Sequence, residues 1–236
     1  MNDMVTANKK YLTRLGSAWG GLHLDMDLIP DKGLIISGGL AGDISFDIEL
    51  INKKDCYIIG VDPTWLSLKT ILKYYRKNFH KRNQFKLIRR AILNKSNLIV
   101  NLGGIARTFL SPQGERAKTI SLTDLISTYY GASVLKLDIE GAEFLALESL
   151  STKLRMPQIS IGFHTWLNSE SDQYPSEGIL PFLYTAKDVL NSIQKIKDMG
   201  YKLVYEEREH KERIGQETLF IRKEFASKYH DIELVE

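Results

Sequence analysis

The sequence predicts an α/β fold, a doubly wound and mostly parallel sheet closed by an antiparallel C-terminal hairpin. Strand and helix patterns alternate from residue 33 to residue 200, which calls for parallel strands covered by helices on both faces. The strand candidates are short apolar runs, 33–37 (GLIIS), 56–61 (CYIIGV) and 133–137 (SVLKL), the form taken by strands buried on both sides. Two further extended segments, 201–206 and 217–222, flank a charged loop and suit a hairpin.

In chain order, residues 4–15 carry the pattern of a short helix. The strand 33–37 runs into the loop GGLAGD. Residues 43–52 read as a helix with Asp43 as N-cap, although Ile44, Phe46, Ile48 and Leu50 also alternate as in a strand. The strand 56–61 ends at Asp62, a helix follows over about 64–79, and a strand over 84–92. Residues 97–102 and 118–121 look extended and irregular, and 123–130 looks helical. The strand 133–137 ends at Asp138. The helix 142–150 (AEFLALESL) is apolar nearly all round, so it should be buried. Residues 158–163 form another strand. Residues 186–199 place Ala186, Val189, Leu190, Ile193 and Ile196 on one side of a helix that Gly200 closes. The segment 165–185 is polar through its first half, and loops of this length tend to be lids. The implied organisation is a cap segment over 1–32, a single main domain over 33–225 with 165–185 as its lid, and a tail over 226–236.

With 236 residues, 43% of them hydrophobic, the chain has enough apolar side chains for such a sheet. No apolar run approaches the roughly 20 residues of a membrane helix, and the N-terminus lacks the apolar stretch of a signal peptide. The single cysteine, Cys56, excludes an internal disulfide framework and a multi-cysteine metal site. A cytoplasmic location is expected. The net charge of +3 hides an asymmetry: between Asp62 and Glu115 there is no acidic residue, against eleven Lys and Arg, while the remainder holds 21 basic and 29 acidic residues. That stretch is either a solvated helix face or a seat for an anionic partner.

Ligands of doubly wound sheets bind beyond the C-terminal ends of the strands, and three segments fall there. In 37–43 (SGGLAGD), Gly38, Gly39 and Gly42 let the backbone approach a ligand, and the helix after them offers free N–H groups. In 61–65 (VDPTW), Asp62 is placed to accept hydrogen bonds from ribose hydroxyls, and Trp65 either packs on an adenine ring or belongs to the core. In 136–143 (KLDIEGAE), Glu143 can complement the helix dipole, which leaves Asp138 and Glu140 unexplained. Acids crowded at the mouth of a sheet meet cations or exchange protons. S-adenosylmethionine carries two cationic groups, an ammonium and a sulfonium.

The segment VLKLDIEGAEFLALESL at 134–150 resembles the stretch LKIDVEGAE of the FkbM family of methyltransferases. Similar, weaker matches are IISGGLAGDISFDIEL at 35–50, VDPT at 61–64, QISIGFHTW at 158–166, ETLFIRK at 217–223 and WGGLHL at 19–24. The resemblance spans residues 19–223. It implies a Rossmann-like sheet of the class I methyltransferase type, with S-adenosylmethionine held by Gly38, Gly39, Gly42, Asp43, Asp62 and Asp138. It implies that Arg90 and Ala91 lie near the adenine, and that the acceptor is a hydroxyl of a sugar, glycan or natural product. The chain departs from the usual pattern at Ser37, where many methyltransferases carry an acid, at Ala41, and at Gly162, where relatives often have Glu.

For hydroxyl methylation a base is expected, His164 or Asp138, with Glu140 beside them. Asp138, Glu140 and His164 also offer hard metal ligands, but no spacing resembles a dedicated metal loop. The segments 16–25, 103–114 and 165–185 are expected to cover the acceptor, and the basic stretch suits an anionic one. A nicotinamide-dependent oxidoreductase shares the glycine turn and Asp62 but lacks G-x-G-x-x-G. A non-catalytic partner-binding or nucleic-acid-binding protein on a degenerate methyltransferase fold is a further alternative, although no nucleic-acid motif is present.

Overall fold

The computed structural model describes residues 7–18, 20–103, 109–110, 115–150, 154–165, 184–207 and 217–234. Most of the expected lid at 165–185, much of 103–114, the charged hairpin loop, Trp19 and the start of the expected N-terminal helix lie outside the described residues.

The described part begins with helix at 7–9, where a helix was expected over 4–15, but the chain is already strand at 13–15: β1 (Thr13–Leu15) pairs antiparallel with β2 (Leu22–Leu24). The tight turn after Leu15 decides the matter: Gly16 has φ +90°, and a Cβ on Gly21 would lie 2.4 Å from the Ser17 carbonyl. Pairing also buries Leu15, Leu22 and Leu24 in the core shared with the main sheet.

The alternation that follows is β3 (Leu34–Gly38), α1 (Ser45–Lys54), β4 (Tyr57–Val61), α2 (Trp65–Lys77), a 3-10 segment (Phe79–Gln84) and β5 (Phe85–Ile88). Then come β6 (Ala91–Leu93), β7 (Ile99–Gly103), β8 (Phe109–Leu110), β9 (Glu115–Ser121) and α3 (Leu122–Thr128). The last part holds β10 (Val134–Leu137), α4 (Glu143–Glu148), β11 (Gln158–Ile161), α5 (Ala186–Asp198), β12 (Tyr201–Glu207) and β13 (Glu217–Arg222).

Seven strands make the main sheet in the order β12-β13-β11-β10-β3-β4-β5. The strands from β11 to β5 run parallel, and β13 is wedged antiparallel between β11 and β12. From β3 the chain steps outward through β4 to β5, then returns to the other side of β3 as β10. The topological switch point therefore lies between β3 and β10.

The strand expected over 84–92 is two strands in two sheets. The chain breaks at Arg89–Arg90, β5 ends the main sheet, and β6 joins a second sheet in the order β6-β9-β7-β8. That sheet also takes in the segments expected to be irregular. In β9, Ala117 and Thr119 point inward while Arg116 and Lys118 are exposed, so the alternation is genuine but its inward residues are too small or polar to announce a strand.

One face of the main sheet packs Ile36, Leu135, Leu137, Ile159 and Ile161 against Leu125 of α3, Leu147 of α4 and Ile193 of α5. The other packs Ile35, Ile58, Val134, Leu219 and Ile221 against Phe46 and Leu50 of α1, Ile71 of α2 and the β1–β2 pair. Each such buried side chain contributes about 1.5–3 kcal/mol relative to exposure. Among the described residues no helix is long and apolar enough to cross a membrane.

Candidate active site

Three strand ends meet at the switch point. Gly38 closes β3 opposite Val61 of β4 and Leu137 of β10. The Gly39 N–H donates to the Val61 carbonyl at 3.0 Å, and the Asp138 N–H to the Gly38 carbonyl at 3.1 Å. Gly39 has φ +79°, and a Cβ there would lie 1.6 Å from the Asp138 carbonyl oxygen, so only glycine fits. Gly42 differs: the nearest atom to a Cβ there is on Leu66, at 3.6 Å, an ordinary contact. Packing among the described residues does not explain Gly42, which is exposed at the turn.

Asp62 clamps this turn. It is 5% exposed. One carboxylate oxygen accepts the N–H groups of Leu40 (2.9 Å) and Ala41 (3.0 Å), and the other accepts the Thr64 N–H (2.8 Å) and hydroxyl (2.6 Å). These four donors fill the in-plane lone pairs of the carboxylate, so a ribose hydroxyl reaches it by displacing one of them. They also hold Ala41 at φ +40°, a costly value for a residue with a Cβ.

Asp43 ties the turn to the N-terminal segment. Its carboxylate accepts the Ser45 N–H at 2.8 Å and the Ser17 hydroxyl at 2.5 Å, and the Ser17 oxygen accepts the Gly20 N–H at 2.9 Å. The residue directly before α1 is Ile44, so Asp43 caps the helix from one position earlier than a regular N-cap. Burial pushes the Asp43 carboxyl up, but hydrogen bonds from Ser17 and Ser45, with the Lys136 charge, hold it below the usual range.

Across the switch point the acids of 138–143 surround one histidine. Glu143 is fully buried. Its two oxygens accept the N–H groups of Ile139 (2.8 Å) and Gly141 (2.9 Å), and they bend the loop through φ +54° at Glu140 and +93° at Gly141. His164 Nδ1 lies 2.8 Å from Glu143, and Nε2 lies 3.4 Å from Asp138 and 3.9 Å from Glu140. Burial alone would lower the His164 pKa. The Glu143 charge and hydrogen bond, then Asp138 and Glu140, outweigh it and push the value up to about 10. The carboxylates thus favour the charged form of the ring, and the Asp138 side chain beside it is about one-third exposed at the rim (34%).

Lys136 joins the two halves. Its buried ammonium donates to the Gly39 carbonyl at 2.6 Å and lies 3.8 Å from Asp138. Beneath it, Asp47 of α1 is pushed up to about 6 by burial, against the pull of the Lys136 charge.

The structure thus brings together Gly38, Gly39, Asp62, Asp138, Glu140 and His164, with Asp43 at the near edge of the turn. Arg90 and Ala91 lie where the chain passes from the main sheet into the second. The Arg90 guanidinium donates to Asn97 at 2.9 Å and to the Thr119 carbonyl at 3.3 Å, in the second sheet, where Ala91 pairs with Thr119. Their neighbours touch the first two turns. Arg89 donates to the Pro63 carbonyl at 3.1 Å, pairs with Glu115 at 2.9 Å and covers the Trp65 ring at 3.9 Å. Ile92 packs against Gly38. Lys136, Ser17 and Arg89 were not singled out for this site from the sequence. Lys136 left a signal, a cation in an apolar strand two residues before Asp138; Arg89 and Ser17 left none.

No protein-family model matches the chain, and no curated protein matches its sequence. Among solved structures it is similar to the methyltransferase FkbM from Methylobacillus flagellatus KT, with a TM-score of 0.56 and 13% identity, covering 85% of this chain and 46% of that one. The chain therefore spans less than half the length of that protein. Weaker similarity extends to magnesium protoporphyrin IX methyltransferase from Synechocystis PCC 6803 (TM-score 0.45, 12% identity, 84% and 73% of the two chains), which was solved with bound SAM. It extends also to precorrin-6y C5,15-methyltransferase from Geobacter metallireducens GS-15 (TM-score 0.43, 11% identity, 82% and 80%). With parallel strands doubling back at β3 and an antiparallel strand wedged beside its outermost one, this chain has the class I methyltransferase fold.

Proposed function

We propose that this chain is an S-adenosylmethionine-dependent methyltransferase that acts on a hydroxyl group. The observation that carries the proposal is the carboxylate cluster of Asp138, Glu140 and Glu143 around His164, set directly against the Gly39 turn. Three carboxylates against the His164 imidazolium and the Lys136 ammonium leave the cluster net negative, which suits a donor with an ammonium and a sulfonium. The residues fit the cofactor: Gly39 lets backbone cross backbone, Gly42 leaves the outer side of the turn open, and Asp62 holds the turn in shape. When bound, S-adenosylmethionine supplies a methyl group already activated on sulfur.

The chain's own residues orient and prepare. Glu143 fixes the His164 ring, and the imidazolium holds Asp138 at the rim by charge. Asp138 is the group placed to hold or take the acceptor proton, a contribution of roughly 10²–10⁴-fold in rate. Asp62 reaches a ribose by exchanging one of its Thr64 donors. A sugar, glycan or related natural product is the acceptor class favoured by the FkbM resemblance, and the basic stretch favours an anionic one.

Titration calorimetry with S-adenosylmethionine, its demethylated product and a nicotinamide dinucleotide tests the reading. Binding of the first two is expected, and binding of the dinucleotide alone would overturn it. With an acceptor in hand, Asp138→Asn should lower kcat by roughly 10²-fold or more, and calorimetry should show weaker S-adenosylmethionine binding too, because the rim loses a charge.

A further inference from the structure

Arg89 apart, the cations of the basic stretch make none of the contacts described at the site, and four of them gather on one helix face. At about 100° per residue, Trp65, Leu66, Lys69, Leu72, Lys73, Arg76 and Lys77 of α2 fall within an arc of roughly 140°, and all are exposed. The opposite side carries the buried Ser67, Ile71 and Tyr74. Leu66 borders Gly42, so it and Trp65 belong to the mouth of the site. Beyond the helix the chain continues into the 3-10 segment, where Phe79 and Arg82 are exposed as well. Leu72 is 47% exposed and Phe79 65%.

Ion pairs among the described residues use none of Lys69, Lys73, Arg76, Lys77 and Arg82. Arg76 and Lys77 complement the C-terminal dipole of α2, an explanation that does not reach Lys69, Lys73 or Arg82. Two large apolar side chains thus stand beside five cations that form no ion pair among the described residues.

We infer that this face docks on an anionic lipid bilayer. A second copy of the chain is a poor occupant, since like cations would be brought together. Nucleic acid would use the phosphate-binding cations but not the aliphatic Leu72, and one face of the Phe79 ring is covered by the Arg82 guanidinium at 3.9 Å. A bilayer uses both groups: headgroup phosphates meet the cations, and Leu72 and Phe79 enter the acyl boundary. The inference does not rest on methyl transfer.

Co-sedimentation of the full chain with phosphatidylcholine vesicles, with and without phosphatidylglycerol, tests it. Binding should require phosphatidylglycerol and weaken roughly tenfold or more at high salt. The combined variant Lys69→Glu, Lys73→Glu, Arg76→Glu should lose on the order of 100-fold in partitioning. Leu72→Ser with Phe79→Ser should lose roughly tenfold, because the apolar anchor is gone. Unchanged melting curves verify that the variants are folded. No binding, or equal binding to both vesicles, overturns the inference. So does tighter binding to a single-stranded oligonucleotide than to the vesicles, or a dimer by sedimentation velocity that the charge-reversal variant abolishes.

Discussion

Gly39 and Gly42 lie in one turn but answer to different constraints. A side chain at 39 meets backbone at 1.6 Å, whereas one at 42 meets only a leucine methyl at 3.6 Å. Gly39→Ala should therefore destabilise the fold by about 3 kcal/mol or more. Gly42→Ala should leave stability within about 0.5 kcal/mol, so that any defect appears as lost cofactor affinity; thermal denaturation paired with calorimetry separates the two. His164 makes a second prediction. Its folded pKa, about 10, lies above the ordinary 6.5. The stability it contributes is fully present below pH 6.5 and lost as pH rises through about 10. His164→Gln should remove this alkaline loss and cost about 3 kcal/mol at pH 7, because Glu143 stays buried without its cation; denaturant titration across that pH range measures both. At this scale the sequence exposed the acids, since carboxylates at a strand end stand out in any reading. It did not expose their division of labour. Glu143 looked like a dipole partner and is the buried acceptor that shapes the loop, while His164 looked like a base and is held charged by neighbours more than twenty residues away.

At the level of elements, Asp62 joins the first turn of the fold to the second. Asp62→Ala removes the acceptor for Leu40, Ala41 and Thr64, which should cost about 3 kcal/mol and weaken cofactor binding through the shape of the turn. Asp62→Asn should be no milder, since an amide NH₂ would face backbone N–H groups; chemical denaturation of both variants checks this. The strands β3, β4 and β10 were legible because each is a short apolar run, interrupted in β10 by Lys136 alone, and α5 because its apolar side chains keep helical spacing. The strand β9 was not, since its inward positions are Ala117 and Thr119. The break between β5 and β6 was hidden too, because two adjacent arginines carry no mark of a change of sheet.

On the scale of the whole molecule, β10, β3 and β11 lie inside the sheet, with core on both faces. Their amides should exchange with solvent slowest, near the global unfolding limit, and those of β5 and β12 at the edges should exchange faster; hydrogen exchange read by mass spectrometry measures the order. Alternation along the chain made the parallel order readable, but nothing local says that the last strand inserts between two earlier ones. That insertion bears on synthesis. Until a ribosome has delivered residues 217–222, β11 has an unfilled flank and β12 has no neighbour to bond, since each reaches the other only through β13. A nascent chain paused before that point displays a raw hydrogen-bonding edge to other unfinished polypeptides. Its yield in cells should therefore rise with holdase chaperones that shield such edges during translation.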